Sequence, residues 1–320
     1  MINNKILIKI SSLTSFYKWC NMDNNKNSNI KETDNHEHHE HMHSHADYHK
    51  QASGNLSFAL ILNLLFNIVV IGGGILTNRV AILADALHDL SDTFSIIVAW
   101  LLERISQKDE SETFSYGYKR FSIFGALITS TVVIIGSASV AYEAFGRLFA
   151  AQAPDASGMV VIAVLGIIFK GGSLIRLNKG KTFSEKAISV HMFGDVFQWI
   201  ALLIISIILV FVDMPILDPL ASIIVSVWVI YNLAKTFLAS VRILLQANPY
   251  GVDVQDLKFG IMDLKYVSEV EELHTWSLDG LDNVLTAKIK VSTADANEIN
   301  EIKGKLEKIA EEHNITNTTF

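Results

Sequence analysis

Six long apolar stretches set the pattern of this chain, at roughly residues 56–76, 80–102, 121–145, 158–177, 188–212 and 217–238. Each reaches the length of about 20 residues that a helix needs to cross a hydrocarbon core. The fourth is the weakest, because Lys170 and the pair Gly171-Gly172 interrupt it, and the third carries Glu143 near its end. Residues 23–54 are polar and rich in Asn and His, a composition that buries too little apolar surface to fold. Beyond residue 245 the pattern changes again. Residues 253–264 read as an amphipathic helix, and residues 267–278 and 284–291 alternate in part as strands. Between those strands Asp279-Gly280-Leu281-Asp282-Asn283 has the residues of a turn. Residues 296–312 read as a charged amphipathic helix and residues 315–320 as a last strand. The expected architecture is a membrane α-helical bundle of six transmembrane helices with a C-terminal α+β domain, helices on one face of a sheet. The expected domains are a disordered His-rich segment over 1–54, the bundle over 55–245 and the α+β domain over 246–320.

Composition agrees with a bilayer setting: 50% of residues are hydrophobic and only 18% charged. A formal net charge of −7 gives no footing for nucleic acid, and the single Cys, Cys20, allows neither an internal disulfide nor a cysteine zinc cage. Residues 1–22 lack a small-residue cleavage site and are not read as a signal peptide, and Met22 is an alternative start. Sidedness follows from the basic residues. Arg104, Lys108, Lys119 and Arg120 lie at the connection from the second stretch to the third, and Arg176, Lys179, Lys181 and Lys186 at that from the fourth to the fifth. The opposite loops carry only Arg79 and Arg147, so the basic side and both termini are expected in the cytoplasm, with the bundle in a bacterial inner (plasma) membrane.

Two short motifs lie inside apolar stretches: His88-Asp89-Leu90-Ser91-Asp92 and His191-Met192-Phe193-Gly194-Asp195. Each is a His followed four residues later by an Asp, a spacing that puts both on one helix face. An Asp at mid-membrane costs roughly 2.5–3.5 kcal/mol on insertion scales, which makes it a functional-site hypothesis. If the two helices touch, His88, Asp92, His191 and Asp195 supply two imidazoles and two carboxylates, a zinc-type tetrahedral set. The competing reading, polar residues that merely hydrogen-bond helices together, suits a lone Asn better than two such pairs. Asp85, Asp89, Asn63 and Asn67 are supporting candidates around these four; Asp89 is rotated about 100° from His88 and is expected to look elsewhere, toward another helix or the cytoplasmic vestibule. His36, His38, His39, His41, His43, His45 and His49 form a weak accessory metal-collecting arm. His274 and His313, in the last 75 residues, read as structural. No catalytic residue and no bound cofactor are expected.

With these residues in place, the chain resembles the cation diffusion facilitator family over about residues 55–315. The resemblance is carried by Ala84-Asp85-Ala86-Leu87-His88-Asp89-Leu90-Ser91-Asp92, by His191 and Asp195, and by Leu273-His274-Thr275-Trp276-Ser277-Leu278. It implies a homodimeric, proton-coupled exporter of divalent transition metals with a ferredoxin-like cytoplasmic domain, and it carries the transport site onto His88, Asp92, His191 and Asp195. His with Asp in both helices resembles the zinc branch, with Co²⁺ and Cd²⁺ as further cargo. The sequence departs from the family pattern at Ser122, where many members carry an acid, and at Gln198-Trp199, where a small pair is common. It departs also at Glu271 and Lys288, which stand where members with a binuclear soluble-domain site have His. Two other classes compete: an intramembrane metalloenzyme, which needs more His than these stretches hold, and a membrane metal sensor, which would bind metal without moving it.

Overall fold

The apolar stretches fold as long helices because few helix breakers fall inside them and a helix pairs the main-chain polar groups of its interior within itself, which hydrocarbon demands. The computed structural model describes the backbone of residues 37–77, 80–149, 156–211 and 216–320, and side chains over 47–72, 89–90, 92–149, 160–205, 207–208, 216–217 and 219–320. Among the described residues six long helices come first: α1 (Glu37–Thr77), α2 (Val80–Ser106), α3 (Arg120–Arg147), α4 (Ala156–Leu177), α5 (Phe183–Phe211) and α6 (Leu217–Leu244). Among the described residues five segments are long and apolar enough to cross a membrane, within α1, α3, α4, α5 and α6. α2, whose residues 80–88 are described by backbone alone, is not one of the five.

The start of α1 corrects the expectation of an unstructured segment up to residue 54. The backbone is already helical at Glu37, and no Gly or Pro interrupts residues 37–53. Once the apolar half is helical, each further residue adds a backbone bond without a new nucleation cost. Residues 1–36, which include His36, lie outside the described backbone.

Buried positions on α3 recur every three or four residues, at Ser122, Gly125, Ala126, Thr129 and Val133, the stripe of a helix packed on one side. Large apolar residues such as Ile61, Ile68, Ile135, Ile168 and Ile224 point outward, more than half exposed. One inner cluster joins α1, α2, α4 and α5 through Leu56, Ala59, Ile96, Ala99, Leu177, Ile188 and Met192. α5 opens on a capping box: Thr182 Oγ1 accepts from the Glu185 N–H at 3.3 Å, and Glu185 Oε2 accepts from the Thr182 N–H at 3.3 Å.

The C-terminal part runs α7 (Val254–Met262), β1 (Val267–Ser277), β2 (Asn283–Val291), α8 (Ala296–Glu312) and β3 (Asn317–Thr319), with sheet order β1-β2-β3. Asp253 and Asp295 cap the two helices from their N-cap positions. Leu257, Ile261, Val270, Leu285, Ile302, Leu306, Ala310 and Ile315 make its core. The chain divides into two compact units. One holds residues 248–274 and 285–320; the other holds residues 45–247 together with the hairpin tip, 275–284.

Candidate metal centre

α2 and α5 meet at the two motifs. His191 Nε2 lies 3.3 Å from Asp92 Oδ1, and His191 Nδ1 lies 3.6 Å from Asp195 Oδ1, one turn along the same helix. Ligand atoms of Asp92, His191 and Asp195 all fall within 4.8 Å of one another. Asp92 and His191 are buried, and Asp195 is partly so. The His191 Nε2 atom makes no hydrogen bond among the described residues, so the ring nitrogen nearest Asp92 is open to a Lewis acid. A cavity of about 20 Å³ opens on these three residues, with Ser137, Gln198 and Ser226 also lining it, room for one water-sized particle. His88 and Asp85 lie on the helical backbone of α2, and their side chains are outside the described residues.

Close approach of α6 depends on Gly194, since a Cβ there would stand 2.3 Å from Val229 Cγ2. Behind Asp92, Thr93 organises the remaining polar residues. Asn63 Nδ2 and Asn67 Nδ2 each donate to Thr93 Oγ1 at 2.7 Å, and Thr93 donates to the Asp89 carbonyl at 3.0 Å. Asn63 and Asn67 therefore support α2 from α1 rather than reach the Asp92, His191, Asp195 cluster. Asp89 turns away from His191 toward α4, where Lys170 Nζ donates to its Oδ1 at 3.1 Å. The same ammonium donates to Asp195 Oδ2 at 2.9 Å. Lys170, first read as an interruption of the fourth stretch, thus belongs to the centre. The signal was present: a cation in an apolar stretch is as expensive as an Asp.

A second buried cluster lies elsewhere in the helical unit. His49 Nδ1 is 2.6 Å from Glu103 Oε1, and His49 Nε2 is 2.9 Å from Asp279 Oδ2 at the hairpin tip. Ser122 donates to the other Glu103 oxygen at 2.7 Å, and Lys119 pairs with Asp282. His49 therefore does not sit on a solvated collecting arm. α1 carries it against α2, and both ring nitrogens are engaged. The side chains of His36, His38, His39, His41, His43 and His45 lie outside the described residues. In the C-terminal unit His274 is exposed, 4.0 Å from Glu272, and His313 sits 3.4 Å from Asp256. Glu271 and Lys288 pair at 2.8 Å, and the lysine holds the Glu271 carboxyl below its ordinary value.

Residues 56–245 match the cation efflux transmembrane domain. The cadmium, cobalt and zinc/H(+)-K(+) antiporter of Bacillus velezensis is 30% identical over 272 residues, covering 82% of this chain and 86% of that protein. The metal cation efflux system protein CzcD of Cupriavidus metallidurans is 26% identical over 277 residues, 85% of this chain and 88% of its own. The zinc transporter ZitB of Escherichia coli is 27% identical over 230 residues, 71% and 73%.

Proposed function

We propose that this chain, which belongs to the cation efflux family, exports a divalent transition metal, zinc before cobalt or cadmium, from the cytoplasm in exchange for protons. Members of that family are transporters and not enzymes, so the metalloenzyme alternative falls away. One observation carries the reading: Asp92 from α2 and His191 and Asp195 from α5 hold their ligand atoms within 4.8 Å. His88, one turn before Asp92 in the sequence, is the proposed fourth ligand. Imidazole favours zinc and its neighbours over magnesium or calcium, which prefer all-oxygen sites. Relatives named for zinc, cadmium and cobalt support the same choice.

The chemistry of exchange is competition. A metal and a proton want the same imidazole nitrogen, so loading releases protons and protonation expels metal. The proposed setting is a six-span bundle in the inner (plasma) membrane with both termini cytoplasmic, acting as a homodimer through a ferredoxin-like C-terminal domain over 246–320. The test uses proteoliposomes that trap a zinc reporter under an imposed pH gradient. Wild type is expected to accumulate zinc and Asp92→Ala to fall to the rate of empty vesicles; equal flux from the two would overturn the reading. Zinc binding by wild type without flux would favour the sensor instead.

A further inference from the structure

Lys170 is 1% exposed and sits on a helix otherwise apolar enough to cross a membrane. Its ammonium touches two carboxylates from two other helices, Asp195 of α5 at 2.9 Å and Asp89 of α2 at 3.1 Å. On its far side lies an aromatic face, with the Phe66 ring centroid at 5.9 Å. Joining helices does not require this. Neutral side chains do it at far lower desolvation cost, as Asn63, Asn67 and Thr93 do in the same bundle. The charge count is more telling. Among the described side chains, Asp89, Asp92 and Asp195 supply three negative charges and Lys170 one positive charge. In a metal-loaded centre, where the carboxylates are ionised and His191 is a neutral ligand, these charges sum to −2, which the divalent ion cancels.

We propose that Lys170 is a tethered counter-cation for the cargo: its ammonium holds Asp195 when no metal is bound, and an arriving divalent ion displaces it onto Asp89. This rests on the reading of Asp92, His191 and Asp195 as the transport site. Asp89 is then the parking position for the lysine, and its Oδ2 has no hydrogen-bond partner among the described residues, so it can take the ammonium more fully. The lysine holds Asp195 through Oδ2 while Oδ1 faces His191, so an arriving metal competes with the ammonium for the charge of one carboxylate, and metal leaving finds a replacement within reach. The lysine thereby weakens binding and speeds release, and it confines the centre to cargo of two positive charges.

The test measures zinc affinity by dye competition on purified protein in detergent, alongside flux. Lys170→Met is expected to bind zinc at least about tenfold more tightly, the size expected when one like charge a few ångströms away is removed. Its maximal flux should fall while half-saturation drops. Lys170→Arg, which keeps the charge, should stay near wild type. Should Lys170→Met fail to fold, Lys170→Met combined with Asp89→Asn removes both buried charges together and is compared with Asp89→Asn alone; tighter binding is again expected without the lysine. Folded variants whose affinity is unchanged or weaker, or an arginine variant that behaves like the methionine one, would overturn the proposal. Parallel Asp92→Ala and Asp195→Ala variants separate the two readings. If they bind zinc like wild type, the site itself is misplaced; if they lose zinc while Lys170→Met is unchanged, only the lysine's role fails.

Discussion

Thr93 shows how much geometry a single hydroxyl carries. It accepts from Asn63 and Asn67 and donates to the Asp89 carbonyl, so α1 is fixed against the turn of α2 that bears Asp89 and Asp92. Thr93→Val keeps the shape and removes the hydroxyl. The Asn63 amide then loses its acceptor in a buried place, a change worth about 1–3 kcal/mol. Thermal unfolding in detergent should show Thr93→Val clearly less stable than wild type, with Thr93→Ser close to it; equal stabilities would mean that the hydroxyl contributes nothing. At this scale the sequence was most legible where chemistry is local. A His and an Asp four apart on a helix are known neighbours before any tertiary contact is known. The pairing of Lys170 with Asp89 and Asp195 was not legible, because it depends on how α4 is rotated. Lys170 read instead as a break in hydrophobicity.

At the scale of elements, small residues decide how near two helices come. Gly194 lets α6 bring Val229 beside His191 and Asp195. Gly166 lets Trp199 of α5 lie on α4, where a Cβ would meet the indole ring at 2.5 Å. Trp199 also meets Phe66 edge-on, with ring centroids 5.5 Å apart. The departure noted at Gln198-Trp199 is thus matched by a glycine on the facing helix. Gly194→Ala should cost about 1–3 kcal/mol, the usual price of overpacking, and should slow zinc flux because it pushes α6 from the centre. Val229→Ala in the same chain should restore most of both, a coupling that a double-mutant cycle reads directly; additive losses would mean that the two residues do not meet in the working protein. The helices were legible from apolar length and the pairing of β1 with β2 from alternation and turn residues; the place of β3 beside β2 was not. That residues 37–54 are helical was not legible either, because composition reports the lack of a core and says little about a helix propagated from a neighbour that has one.

At the scale of the whole molecule, the hairpin tip is the element whose partners could not be read from the chain. Its turn residues were plain, but residues 275–284 group with the helical unit rather than with the rest of their own strands. Gly280, at φ +90°, has no room for a Cβ because Phe183 would lie 2.2 Å away. Asp279 accepts the Leu281 and Asp282 N–H groups at 2.8 Å and, with its other oxygen, faces His49. Burial alone would push this carboxyl up, yet the His49 ring and the turn's N–H groups hold it below the ordinary carboxylate range. A carboxyl whose folded value is depressed stabilises the fold at pH above its unfolded value and loses that contribution as pH falls through the folded one. The tip should therefore stay closed at neutral and mildly acidic pH and open only below the usual carboxylate range. Hydrogen-exchange protection of the Leu281 and Asp282 amides is the measure. His49→Ala removes the partner of two buried carboxylates at once, a loss of about 3–5 kcal/mol for a broken buried pair. Burial then dominates, the Asp279 carboxyl rises, and protection should be lost at a higher pH than in wild type. A profile that His49→Ala leaves in place would mean that the tip is held by Gly280 against Phe183 and by Lys119 with Asp282, and not by the histidine.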